Sequence, residues 1–496
     1  MPDAHHQTQP RPRPLTRVVT NYALALSKSL TEGSGDHGDI KRWNPDLGTI
    51  AGHEFEGSST AVDGKPEPPS TMHGRNSQAQ PEKMADTDAN PNNRDEIGWR
   101  KFVKYFTPSW FTVTMGTGIV SVLLNQFPYK ARWLYWLSVI VFVLNLALFV
   151  LFVGLTVLRF VLWPCTRRIA NKPTQALYLS TIPTTMSVLV NMMVFVCVPA
   201  WGEWVVYTAW GLWMADAVMS LVCALWLPFL MIKRTDETPL SAYTALQLFP
   251  IIATVVASAS AAVVANVLPR PEQALATLIM GYVLWGLGLP SALFIMVVYF
   301  QRLAIHKLPP REVIVSCFMP IGPLGMGGFA IAKLGNVAMR IFPLTKTIHP
   351  LAGDLAYNLG ILLCLVMWGF TLLWLFLAVA SIHHCKHFPF NMGWWGFTFP
   401  IGTFALSSNA LAQEIPSRFF RVIESVWESV NLEMPALTFM QITSVCVFVL
   451  WIVVVSATLR DLITGGKKLF NAPPSLPSTD NQKLGKLDNV AGDKTV

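Results

Sequence analysis

Asp216 stands in "WGLWMADAVMS", a carboxylate inside an otherwise apolar run. An ionisable group in hydrocarbon is expensive and marks a functional residue by default. Two roles fit it. It is either a protonatable group coupling transport to a proton gradient, or an anchor bonded to a hydroxyl, an amide or a base on a neighbouring helix. Lys333, near the end of another apolar run, would raise the local positive potential and draw anions. Its ordinary role is to snorkel to the interface. His383, His384, Cys385 and His387 crowd together in "SIHHCKHF". Such clusters bind metal in some proteins, but this one follows a long apolar run where basic residues are expected, and we assign no metal. The seven cysteines stand singly, with no CxxC, so neither a zinc site nor a disulfide framework is indicated. Gly322, Gly325, Gly327 and Gly328 form no phosphate loop, because no Lys-Ser/Thr follows and no strand precedes. There is no Ser/His/Asp or Cys/His set in a credible soluble site. We expect neither an enzyme nor a cofactor.

The most regular chemistry in the chain is proline followed by small polar residues. "FTPSWFTVTMGTG", "LSTIPTTMSVLVN", "LQLFPIIATVVAS", "CFMPIGPLGMGG" and "FTFPIGTFALSS" carry Pro108, Pro183, Pro250, Pro320 and Pro400, spaced by 75, 67, 70 and 80 residues. Four positions on stand Thr112, Ser187 and Thr254, though Leu324 and Phe404 break the pattern. Eight positions on stand Gly116, Asn191, Ser258, Gly328 and Ser408. Offsets of four and eight share one side of a helix. Proline removes a backbone donor and disturbs the preceding turn, and freed carbonyls in hydrocarbon need a partner or water. The pattern therefore predicts proline-kinked helices whose small polar stripe, Thr403 included, lines a central path. Helix packing by small residues is the plainer explanation for any single position.

These residues must be positioned by apolar helices. The chain is 52% hydrophobic and 13% charged over 496 residues, against about 25% charged in soluble domains. Apolar runs of membrane-spanning length are predicted near 106–125, 134–162, 177–199, 204–232, 246–268, 274–301, 313–335, 355–382, 393–412 and 436–459. The prolines mark the odd-numbered runs, and the period is one helical hairpin. The expected fold is an all-α membrane protein of ten transmembrane helices, arranged as five hairpins around a central pore. The expected organisation is a disordered cytosolic tail over 1–96, a transporter domain over 97–462 and a second disordered cytosolic tail over 463–496. Lys and Arg before the first run and in alternate loops place both termini in the cytosol. The formal charge of +8 lies largely in those loops, with no aromatic interleaving, so nucleic acid is not an expected partner. No cleavable signal peptide is evident, and Met84 would start a shorter product. "RFFRVIESVWESV" reads as a surface amphipathic helix.

"FTPSWFTVTMGTGIVSVLL" with "FPYKARWLYWLS", "IHKLPPREV" before "PIGPLGMGGFA", and "WWGFTFPIGTFAL" resemble the tellurite-resistance/dicarboxylate transporter family. Within it they look most like the fungal sulfite efflux pumps, over roughly 97–462. The resemblance implies a quasi-fivefold set of hairpins, a central anion path and a homotrimer in the plasma membrane. It also implies a phenylalanine gate in the ninth span, matching Phe399, with Phe397 if the register slips by two. It implies sulfite export, which serves detoxification and, in fungi that grow on keratin, reduces substrate disulfides. A malate permease of the same frame is the alternative. Two carboxylates would favour paired basic groups in the path, and the proline-marked runs hold almost none. A membrane enzyme or receptor would need a catalytic cluster or a large outer domain, and the longest outer loop, about 413–435, is too short for one.

Overall fold

The computed structural model describes residues 103, 106–127, 131–162, 173–233, 239–415 and 439–463, all within the compact unit Thr87–Val496. Both tails, Met84 and the "RFFRVIESVWESV" segment lie outside them. Among the described residues the regular structure is helical, with no strand. In hydrocarbon a helix satisfies its own backbone, which these apolar runs require.

The principal helices are α1 (Phe111–Asn125), α2 (Arg132–Leu162), α3 (Thr181–Met192), α4 (Glu203–Lys233) and α5 (Phe249–Val267). They continue with α6 (Pro271–His306), α7 (Ile321–Thr345), α8 (Ala352–Cys385), α9 (Thr398–Glu414) and α10 (Phe439–Ile463). Among the described residues, eight helices are long and apolar enough to cross a membrane. The two expected spans outside that set are occupied by α1, 15 residues, and α9, 17 residues. At ~1.5 Å per residue these are shorter than a bilayer core of ~30 Å. Each is preceded by a 3-10 turn, Pro108–Trp110 and Met392–Gly396. Both helices are buried against protein along most of their length, so their composition need not satisfy lipid.

Burial divides the helices into two sets. The most apolar stretches of Ala245–Val267 and Arg311–Thr345 are 100% buried, whereas that of Arg132–Leu162 is 22% buried. Helices α1, α3, α5, α7 and α9 are the inner set. In sequence order each packs on the next, and α9 packs back on α1. Each also packs on the helix that follows it: α1 on α2, α3 on α4, α5 on α6, α7 on α8 and α9 on α10. The even helices turn Val143, Val218, Val283, Val366 and Val449 outward. Trp133, Trp136, Trp201 and Trp204 are exposed at helix ends, as interfacial aromatics require.

The closest seam joins α7 to α8. A Cβ on Gly335 would stand 2.6 Å from the Ala356 carbonyl, and one on Gly360 would stand 2.7 Å from the Ile331 carbonyl. Only glycine lets two backbones meet at that distance.

The prolines differ from expectation in position. Each lies where a 3-10 turn passes into an α-helix. Pro108 opens its turn, Pro320 caps α7, and Pro183, Pro250 and Pro400 sit in the first turns of α3, α5 and α9. A proline there loses no intrahelical hydrogen bond. Prolines also lie further along helices, Pro228 and Pro290 in the interior of α4 and α6 and Pro343 in the last turn of α7. The first two belong to the outer set. A mid-span kink in every inner helix is therefore replaced by a change of winding at its start. Within the inner set α3 carries a further irregularity, a π turn over Met193–Cys197 followed by Pro199.

Candidate anion path

The starts of the five inner elements converge on one small cavity of about 30 Å³. It is lined by Thr112 from α1, Tyr178 before α3, Leu246 and Phe249 at α5, Glu312 and Ser316 before α7, and Asn391 before α9. Asn391 fixes two of these segments together. Its Oδ1 accepts from the Gly393 N–H at 2.8 Å, and its Nδ2 donates to the Glu312 carbonyl at 2.8 Å.

At the opposite ends of the inner helices lies a larger cavity of about 340 Å³. Its polar lining is Gln126 at the end of α1, Asn266 on α5, and Lys333 and Asn336 on α7, with Val194, Phe195 and Phe329 among its apolar walls. A chain of hydrogen bonds runs around this mouth. Asn409 Nδ2 donates to the Gln126 carbonyl at 3.4 Å, Gln413 donates to Asn409 Oδ1 at 3.2 Å, and Lys333 donates to Gln413 Oε1 at 3.3 Å. Asn336 and Tyr357 both donate to the Glu414 carboxylate. Lys333 thus turns into the cavity instead of snorkelling alone at an interface.

All five inner helices contribute to one apolar cluster that includes Ile119, Met192, Leu248, Ile252, Phe399 and Phe404. Phe399, in the first turn of α9, is fully buried. Phe397, two residues earlier, packs edge-on against Phe318 at 4.9 Å and belongs to an aromatic group with Phe388 and Trp394.

The small polar stripe is placed differently from expectation. Ser187 donates to Asp216 on α4, Ser258 donates to the Gly281 carbonyl on α6 at 2.8 Å, and Ser408 accepts from Trp368 Nε1 on α8 at 2.8 Å. Thr254 stands against Gly288, Gly328 against Cys364, Thr403 against Gly325 and Gly116 against Thr398 and Trp395. Ser187, Ser258 and Ser408 thus bond to neighbouring helices, whereas the Thr254 and Thr403 hydroxyls return to their own, donating to the Ile251 and Pro400 carbonyls at 2.8 and 2.7 Å; in either case a buried polar atom takes the nearest partner. Thr112 does line the smaller cavity. Asn191 is buried with Oδ1 unpartnered.

Asp216 is fully buried, with Oδ2 accepting from Ser187 and Oδ1 unpartnered. Nearby, Trp213 donates from Nε1 to the Ala257 carbonyl at 2.9 Å, and Ser260 donates to the Ser187 carbonyl at 3.1 Å. The carboxyl thus sits where α3, α4 and α5 meet. His383, His384 and Cys385 end α8, and Cys385 Sγ lies 3.7 Å from the His387 carbonyl.

Sequence reasoning missed Gln126, Asn266 and Asn336. The available signal was polar residues at the C-terminal ends of three odd-numbered runs. It also missed Asn145 on α2, which is fully buried with both amide atoms unpartnered.

Comparison with known proteins decides the class. The family model described as SLAC1, voltage-dependent anion channel, matches residues 105–459. The chain belongs to the voltage-dependent anion channel family. It is a multi-pass membrane transporter of anions. Among relatives, it is 42% identical over 370 residues to a sulfite efflux pump of Arthroderma benhamiae, spanning 74% of this chain and 93% of that protein. It is 28% identical over 349 residues to a sulfite efflux pump of Candida albicans, spanning 66% of this chain and 71% of the relative. It is 25% identical over 390 residues to a malic acid transport protein of Schizosaccharomyces pombe, spanning 76% and 84%. The family's matched region begins before the first inner helix and ends within α10, so it takes in both cavities.

Proposed function

We propose that this protein exports sulfite across the plasma membrane along the axis enclosed by α1, α3, α5, α7 and α9. The observation that carries the substrate is the 42% identity over 93% of a relative named a sulfite efflux pump. The relative named for malic acid is far more distant, at 25%. Ten spans in five hairpins, both termini in the cytosol and a homotrimer complete the reading. Closure of the inner ring through successive contacts supports the hairpin arrangement, and the alternation of charged loops supports the orientation of the termini; the homotrimer rests on the family resemblance. Anion preference would come from neutral donors and a positive surrounding field, with no dedicated binding arginine.

Phe399 is the gate in this reading. It is fully buried in the apolar cluster to which all five inner helices contribute, and an aromatic side chain there moves by rotamer without breaking a hydrogen bond. Phe397 already has aromatic partners on three sides, which suits it to a fixed role. Asp216 acts as the anchor of α4 to α3, because its hydrogen bond is made within the fold.

The test is sulfite tolerance and extracellular sulfite in a fungal strain lacking its own exporter. Expression of this chain should restore both. Failure at normal surface level would sink the sulfite assignment and favour malate uptake as the next assay. Phe399→Ala should then raise sulfite flux, while Phe399→Leu keeps it near wild type. Unchanged flux in Phe399→Ala would remove the gate.

A further inference from the structure

The larger cavity differs from the smaller in charge as well as size. Its one charged lining residue is Lys333, whereas that of the smaller cavity is Glu312. We propose that the Lys333 cavity is a binding site for a small oxyanion, with Lys333 Nζ as charged donor and the amides of Gln126 and Asn266 beside it. The inference rests on reading the helix ring as an anion path, and it places a resting site at one mouth of that path.

Four observations carry it. First, the volume of about 340 Å³ takes a tetrahedral or pyramidal oxyanion together with several waters, at ~30 Å³ for each water. Second, an ammonium has three donors, and Gln413 occupies one of those of Lys333. Third, the carboxylate at this mouth, Glu414, has both oxygens hydrogen-bonded, one to Asn336 of the cavity wall and one to Tyr357, and Lys333 is hydrogen-bonded to a neutral amide and not to that carboxylate. Fourth, the Phe329 ring lies 5.9 Å from Nζ, steadying the ammonium by a cation–π contact, and the apolar walls weaken screening of its charge. Phe329 belongs both to the apolar cluster and to the cavity wall, so the cation and the neutral donors stand directly against apolar packing. The acidic residue at the other mouth disfavours the same ion there, so the two ends hold an anion unequally.

The test uses the full chain in detergent, titrated with sodium sulfite against sodium chloride of equal ionic strength, with melting temperature as the readout. Sulfite should raise the melting temperature of the wild type. Lys333→Gln should need about two- to fivefold more sulfite for the same rise, the loss expected for one partly solvated charge contact. Lys333→Arg should restore the wild-type response. Asn266→Asp, at an exposed position, should weaken the response without disturbing the fold, and it decides the matter if Lys333→Gln does not fold. A wild type indifferent to sulfite overturns the proposal. So does a Lys333→Gln or Asn266→Asp response equal to wild type. Sulfite flux in plasma-membrane vesicles is read separately. Lys333-dependent binding without flux would keep the site and sink the export reading.

Discussion

The inner and outer helices solve the same problem by different means. An outer helix such as α8 presents Leu362, Val366 and Phe376 to lipid and needs only length and hydrophobicity on that face. An inner helix such as α5 is enclosed by α3, α4, α6 and α7 and carries Thr254, Ser258 and Ser260 with no exposure. Those hydroxyls are not idle polarity. Ser258 bonds to α6 and Ser260 to α3. The difference teaches that polarity inside this membrane protein is satisfied within the protein, either across a helix seam, as at Ser258 and Ser260, or back onto the same helix, as at Thr254. The two polar-lined cavities lie toward opposite ends of the inner set.

If that contrast is right, substitutions at inner seams should be costly and those on the lipid face nearly silent. The largest effect is expected for Gly360→Leu, which drives a side chain into the α7 backbone. Overpacking of this kind costs about 3 kcal/mol, read as a fall in melting temperature and surface level. Normal stability would mean that α7 and α8 are not held together by close backbone approach. Next comes the α3–α4–α5 junction. Asp216→Leu leaves the Ser187 hydroxyl without its acceptor and should cost about 2 kcal/mol, while Asp216→Asn keeps an acceptor and should retain both fold and flux. A pH profile of sulfite flux that flattens in Asp216→Asn would instead assign the carboxyl to proton coupling. Trp213→Phe removes one buried donor to the Ala257 carbonyl and should cost about 1 kcal/mol, measured by the same melting assay. The smallest effect is expected for Val366→Ala, 69% exposed to the lipid side, within about 0.5 kcal/mol. A large loss there would show that this face of α8 is covered by protein, as in a trimer.

Much was legible in the sequence because its signals are local. Apolar length predicts the outer helices to within a few residues, as 134–162 against Arg132–Leu162 and 204–232 against Glu203–Lys233. The recurrence of Pro108, Pro183, Pro250, Pro320 and Pro400 picks out the inner set, since each marks the same 3-10-to-α junction. Asp216 stands out as a carboxylate surrounded by hydrocarbon.

Direction was not legible. Offsets of four and eight put Ser187, Ser258 and Ser408 on comparable faces, but periodicity cannot say whether a face meets an ion path or another helix. That depends on which helices lie beside α3, α5 and α9, and these are set by contacts across the ring. The short lengths of α1 and α9 were equally hidden, because an apolar run reads the same whether lipid or protein covers it. By itself, then, the chain determined which segments are helices, which alternate ones differ, and that an anion transporter's frame is present. Only the tertiary structure decided where the polar groups point and which of them meet, because hydrogen bonding in a medium without water is settled by the nearest neighbour in space.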